Sequence, residues 1–219
     1  DHMEMMAEDA GVGVSDGPEM QVTTTLTKMA KSLFTLIKEA ADQNQKIGRK
    51  LLVLIENFHF FWRVYDTRIP RIKSIMGKVE EAHDMYVENL KAYVKWHVEY
   101  ELKKLSDFWD NIDRKLDNNQ TEELQFLIPK QEVLTMVRKT LPNLQKNITN
   151  IYKRVEKHLP SNTDLRMEVW RALQAYFLDR FKKFESQVAQ CYHNFKELPK
   201  TSADVKKYFQ SHMADEKTS

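Results

Sequence analysis

Residues 163–195 read TDLRMEVWRALQAYFLDRFKKFESQVAQCYHNF, and this stretch decides the fold. Trp170, Leu173, Phe177, Phe181, Phe184, Val188, Cys191 and Phe195 recur three or four positions apart, the spacing of one face of an α-helix. Ser161, Asn162 and Thr163 lie at its start, where their side-chain oxygens can cap the first turn. Pro199 follows its end. A stripe this rich in large aromatics has to be covered by other elements.

The same punctuation runs upstream. Leu144, Ile148, Ile151, Val155 and Leu159 predict a helix over residues 142–159, closed by Pro160. A short helix starts near Pro129, since proline is well tolerated at a first helical position, and ends before Pro142. Between Pro70 and Asp117 no proline intervenes, and one long helix is predicted. Val79, Tyr86, Tyr93 and Tyr100 lie seven apart on it, with His83, Leu90 and His97 interleaved. After a phase shift near Tyr100 the stripe resumes as Leu105, Trp109, Ile112 and Leu116. Unbroken, this helix would reach roughly 70 Å at about 1.5 Å per residue. Residues 117–120 read as a loop. An apolar helix is predicted over residues 47–68, turning at Ile69 and Pro70. Another starts from a threonine cap at residues 23–25 and carries Leu26, Met29, Leu33, Leu36, Ile37 and Ala40. Residues 203–210 form a terminal turn or two.

The expectation is therefore an all-α fold, an elongated antiparallel bundle or rod of about five to seven helices. Residues 1–20 read as an unstructured acidic leader, residues 21–199 as the bundle, and residues 200–219 as a short terminal helix and flexible tail. His2 and Met3 look like a cloning scar, which would make the leader partly foreign and the chain a fragment of a longer protein.

Composition agrees. The 219 residues include 5 Gly, and three of these (Gly11, Gly13, Gly17) fall in the leader. Two isolated glycines cannot build the clustered backbone N–H groups of a nucleotide-binding loop, nor the turns of an antiparallel sheet. The lone Cys191 excludes a disulfide framework within the chain and fits a reducing compartment. The first twenty residues hold six acids and no Lys or Arg, and removing them raises the formal net charge from +2 to +8. The most apolar run, residues 51–65, is shorter than a membrane span and contains Glu56, Asn57, His59 and Arg63.

Chemistry-bearing patterns are few. Glu56 with His59, and Glu80 with His83, each place a carboxylate and an imidazole on one helix face, level across a hairpin at Pro70. Two Glu-x-x-His pairs are half of a di-metal carboxylate site, but no further Glu inside an apolar stripe completes the set. His83 shares its seam with Tyr and Leu, so core packing is the preferred role. Cys191, inside the aromatic stripe, reads as a core residue rather than a nucleophile. No cofactor, catalytic residue, metal site or small-molecule substrate is expected, and no nucleic-acid module is present. The charge pattern says more. Residues 138–158 carry Arg138, Lys139, Lys146, Lys153, Arg154 and Lys157 against Glu156 alone, whereas residues 99–123 hold eight acids and four bases. These are solvated faces that partly pair with each other, or else a docking surface for an acidic partner or anionic lipid.

One further signal is the order of short motifs. Glu56-Asn57-Phe58-His59, then Lys130-Gln131-Glu132, then Tyr152-Lys153-Arg154-Val155-Glu156-Lys157-His158-Leu159, then Val169-Trp170, Phe184-Glu185 and Cys191-Tyr192, occur in sequence over about residues 50–195. In this the chain resembles the C-terminal region of exocyst complex component one, the Sec-three-type subunit family of a vesicle-tethering complex. The resemblance implies a helical rod of tethering-complex type that works by protein–protein interaction, with other exocyst subunits as partners. It implies a cytoplasmic protein, peripheral at plasma-membrane sites of exocytosis, with contact to anionic membrane as a further option. It also gives Glu56 and His59 a place in a family motif without metal chemistry. The family's lipid- and GTPase-binding domain is N-terminal, and no residues here match it.

Overall fold

The computed structural model describes residues 18–68, 75–116, 123–192 and 198–214. The leader up to residue 17, the turn at Ile69 and Pro70, the loop at 117–120, and Phe195 lie outside the described residues. Among the described residues every regular element is helical: α1 (Pro18–Asp42), α2 (Ile47–Arg68), α3 (Met76–Glu101), α4 (Lys103–Leu116), α5 (Leu124–Leu127), α6 (Lys130–Thr140), α7 (Leu144–His158), α8 (Thr163–Cys191) and α9 (Ser202–Ala214), with a 3₁₀ turn at Leu141–Asn143. The fold is an all-α bundle.

Helix α8 is the core element. Trp170, Leu173, Phe177, Phe181, Phe184, Val188 and Cys191 are all buried, as their spacing predicts. Each such phenylalanine stabilises the fold by about 1.5–3 kcal/mol relative to an exposed one. Asn162 is the cap, its side chain accepting a hydrogen bond from the Leu165 amide at 3.1 Å. Trp109 of α4 meets Phe177 edge-on at 5.3 Å between ring centroids. Helix α9 lies back along α8, fixed by Trp170 Nε1 donating to the Phe209 carbonyl at 3.1 Å and by the Glu185 carboxylate accepting from the Ser202 amide at 2.8 Å. Helix α7 buries Leu144, Ile148, Ile151 and Val155 of its predicted stripe.

Helices α1, α2 and α3 form an antiparallel set. Phe34 packs on Phe58 while Asp42 pairs with Lys50, and His59 meets Tyr86 while Trp62 meets His83. At the far end of the α2–α3 pair, Gly48 faces Trp96. A Cβ at position 48 would stand 2.4 Å from the indole, so glycine here makes room for the Trp96 ring over the start of α2.

Four expectations are corrected. The long helix breaks at Leu102, whose φ of −121° and ψ of 34° leave helical geometry, although its N–H still reaches the Val98 carbonyl. No proline or glycine stands there. The break changes the chain's partners beyond α8, which both halves touch: α3 packs on α2 and α7, whereas α4 packs on α5 and α6. Tyr100, expected in the seam, is accordingly exposed while Leu102 and Leu105 are buried. On α1, the buried face is Ala30, Phe34, Ile37 and Ala41, and Met29, Leu33 and Leu36 of the expected stripe are exposed. Phe34 decides this: its ring is gripped by Phe58 and Phe61 at 5.2 and 4.9 Å, and the flanking alanines permit close helix approach. The split at Leu102 and the single turn α5 add short segments within the expected all-α bundle. Helix α1 also begins at Pro18, ahead of the predicted cap at residues 23–25, with proline at its tolerated first position.

Candidate functional site

The basic residues of α6 and α7 do not form one surface. They border two neighbouring clefts that meet at Tyr100. The first, about 710 Å³, lies between the start of α2, the end of α3 and the last turns of α7. Its cations are Lys46 just ahead of α2, Arg49 of α2, and Lys153, Arg154 and Lys157 from α7, and its apolar lining includes Leu52 and Trp96. The second, about 500 Å³, is bordered by Lys103 and Lys104 of α4, Lys139 of α6 and Lys146 of α7. Arg138 is exposed on α6 and lines neither.

Arg154 is committed to the fold. Its Nη2 donates to Glu101 Oε2 at 2.8 Å, Asn150 donates to Glu101 Oε1 at 2.7 Å, and the guanidinium lies 4.2 Å above the Tyr100 ring. Both carboxylate oxygens are therefore used, and the end of α3 is tied to α7. Arg154 Nη1 is buried and finds no acceptor. This is where the acidic stretch 99–123 meets the basic stretch 138–158. Asp110 and Asp113 pair instead with Arg180 of α8 at 2.7 and 2.6 Å. Lys103 pairs with Asp107 at 3.0 Å, whereas Lys46, Arg49, Lys153 and Lys157 have no acidic partner among the described residues.

Behind the first cleft sits a chain of rings. Trp96 stacks on His158, and the Tyr93 hydroxyl lies 2.7 Å from His158 Nδ1. Burial, followed by the charges of Arg154, Arg49 and Lys157, holds the His158 imidazole below its usual pKa. The cations thus face His158 from both α2 and α7. Deeper in, His97 is fully buried and neither ring nitrogen has a partner. Its pKa is pushed down to about 3, by burial first and then by Arg154 and His158. Both imidazoles are neutral at pH 7, so the cleft's charge comes from lysine and arginine alone.

The Glu-x-x-His residues do not converge. His59 Nε2 is 3.5 Å from Glu168 Oε2, which already accepts the Tyr86 hydroxyl at 2.7 Å. His83 lies on Trp62, with 4.6 Å between ring centroids. Glu56 is raised in pKa by burial and bears electrostatically on Tyr93 rather than on a histidine, and Glu80 is exposed. Among the described residues no group of three or more His, Cys, Asp or Glu side chains is arranged to hold a metal ion. No described helix is long and apolar enough to cross a membrane.

Lys46, Arg49 and Trp96 were missed by sequence reasoning. A signal existed: Lys46, Arg49 and Lys50 crowd the start of a helix, where the backbone dipole disfavours positive charge. The tryptophan carried no such mark.

Comparison with known proteins follows the same outline. The family model described as exocyst complex component Sec3, C-terminal, matches residues 19–194. The chain is 31% identical over 171 residues to exocyst complex component 1 of Mus musculus, covering 76% of this chain and 19% of that protein. It is 28% identical over 170 residues to the Drosophila melanogaster protein of the same name, covering 75% and 19%. To exocyst complex component SEC3A of Arabidopsis thaliana it is 25% identical over 176 residues, covering 78% and 19%. It therefore spans about a fifth of the length of the relatives it matches. No solved structure matches at a significant level.

Proposed function

Since the chain belongs to the exocyst Sec3 C-terminal family, we propose that it is the C-terminal helical module of an exocyst subunit and works by protein–protein interaction rather than by catalysis. The family match over residues 19–194 carries this reading. On it, the module contributes to holding secretory vesicles at the plasma membrane before fusion, with other exocyst subunits as its partners, and it acts as a cytoplasmic, peripheral component.

The physical contribution is geometric. Antiparallel helices locked by buried rings along α8, and by the Glu101–Arg154 tie between α3 and α7, form a stiff body that keeps its surfaces at set distances. A stiff module passes force and spacing along a tether, where a flexible linker would absorb both. An elongated form would suit this role, and small-angle scattering of the purified chain measures it directly.

Affinity purification of the tagged chain from cells, followed by mass spectrometry, tests the assignment. Co-enrichment of several exocyst subunits is expected. Their absence, with the chain folded and expressed, would overturn it.

A further inference from the structure

The first cleft contains more positive charge than the fold explains. Lys157 and His158 occupy the last turn of α7, where cations favour the helix dipole. Lys46 and Arg49 do the opposite at the start of α2, whose first turn holds no acid, whereas Lys50 beside them is paired with Asp42. Arg49, Lys46, Lys153 and Lys157 line the same cleft, and none of the four has an acidic partner among the described residues. Folding alone would disfavour this arrangement, and an anion in the cleft would relieve it.

The shape narrows the class of anion. Trp96 and Leu52 give the cleft an apolar lining, and Tyr100 is 65% exposed at the boundary with the second cleft. The basic border runs along α7 from Lys146 to Lys157, about 16 Å at 1.5 Å per residue. An extended peptide covers that distance in about five residues. A single compact phosphate cluster would fill one cleft and leave the other's lysines unmatched.

Building on the interaction-module reading above, we propose that the two clefts together bind an acidic, extended segment of a partner protein. Its carboxylates face Lys46, Arg49, Lys153 and Lys157 in the first cleft and Lys139 and Lys146 in the second, and one apolar side chain rests against Trp96 and Leu52. Arg154 acts as a positioning residue: held by Glu101 and Tyr100, it keeps the floor of the cleft in place.

The test is fluorescence anisotropy with a labelled peptide of Glu and Asp flanking one central Leu. Saturable binding that weakens with added salt is expected. Combined Lys46→Glu, Lys153→Glu and Lys157→Glu should weaken it by at least about tenfold, since reversing charges at a contact introduces repulsion. The equal charge change Lys28→Glu, Lys31→Glu and Lys38→Glu on exposed positions of α1, none of which lines either cleft, should change it by less than about threefold. Circular dichroism confirms that both variants fold, since all six lysines are exposed. Absence of saturable binding overturns the proposal, as does equal weakening by the two variants. Cleft-dependent binding to phosphatidylserine vesicles without peptide binding overturns it as well. The purification experiment above is independent: a chain that brings down exocyst subunits yet ignores the peptide removes this proposal alone.

Discussion

His97 offers the sharpest test of the electrostatics around the cleft. It is fully buried between Tyr93, Trp96 and His158, with no hydrogen-bond partner for either ring nitrogen. Its pKa falls from 6.5 to about 3 on folding. Between those values the unfolded chain binds a proton at this residue and the folded chain does not. Stability from this source is complete above pH 6.5 and is lost progressively as pH falls toward 3. At pH 5 the loss relative to pH 7 amounts to about 2 kcal/mol. The lowered pKa values of His59 and His158 add loss in the same direction. His97→Leu replaces the imidazole with an apolar side chain of similar volume and abandons no hydrogen bond, so the fold should survive it. Urea unfolding at pH 7 and pH 5 reads the difference. The variant should lose about 2 kcal/mol less than the parent between the two pH values, roughly 1 M in midpoint for a slope near 2 kcal/mol per M. Equal losses within about 0.5 kcal/mol would refute the reasoning, and would mean that His97 is hydrated or charged in the folded protein.

Three other outcomes are expected. Gly48→Ala gains helix propensity of about 1 kcal/mol but forces Trp96 aside, for a net loss of about 1–2 kcal/mol in chemical denaturation; the loss should shrink in a Trp96→Leu background. Glu101→Gln strands Arg154 in a pair whose side chains are only 13% and 22% exposed, and should cost about 3 kcal/mol by the same assay, with part recovered when Arg154→Met is added. On α1, Phe34→Ala should cost about 3–5 kcal/mol, whereas Met29→Ser, Leu33→Ser or Leu36→Ser should each stay within about 0.5 kcal/mol; comparable losses at both sets would contradict the register of α1 against α2.

Legibility varied from helix to helix for physical reasons. On α7 and α8 the apolar positions form a single stripe flanked by charge, so only one face can be buried and periodicity finds it. Helix α1 carries apolar residues on two faces, and the stripe with more leucine and methionine was the wrong choice. Which face is buried depended on Phe34 and on the rings that α2 presents to it, and local spacing is blind to those. Tyr100 failed similarly, because the register of seven was followed past the point where the chain changes neighbours at Leu102.

The candidate site divides along the same line. Lys139, Lys146, Lys153, Arg154 and Lys157 are dense in sequence, so their charge is visible without a fold. That Arg154 is tied down by Glu101, and that Lys139 and Lys146 serve a different cleft from Lys153 and Lys157, follows from the packing of α3 and α4 on α7. Lys46, Arg49 and Trp96 lie about fifty or a hundred positions from their neighbours across the cleft. The amino-acid sequence by itself determined that the chain is all-α, where its prolines and caps interrupt the helices, and which family it resembles, because these depend on local backbone preference and on the order of short motifs. Only the tertiary structure decided which charges share a surface and which apolar face of α1 is covered, because both depend on helices that meet across long separations in the chain.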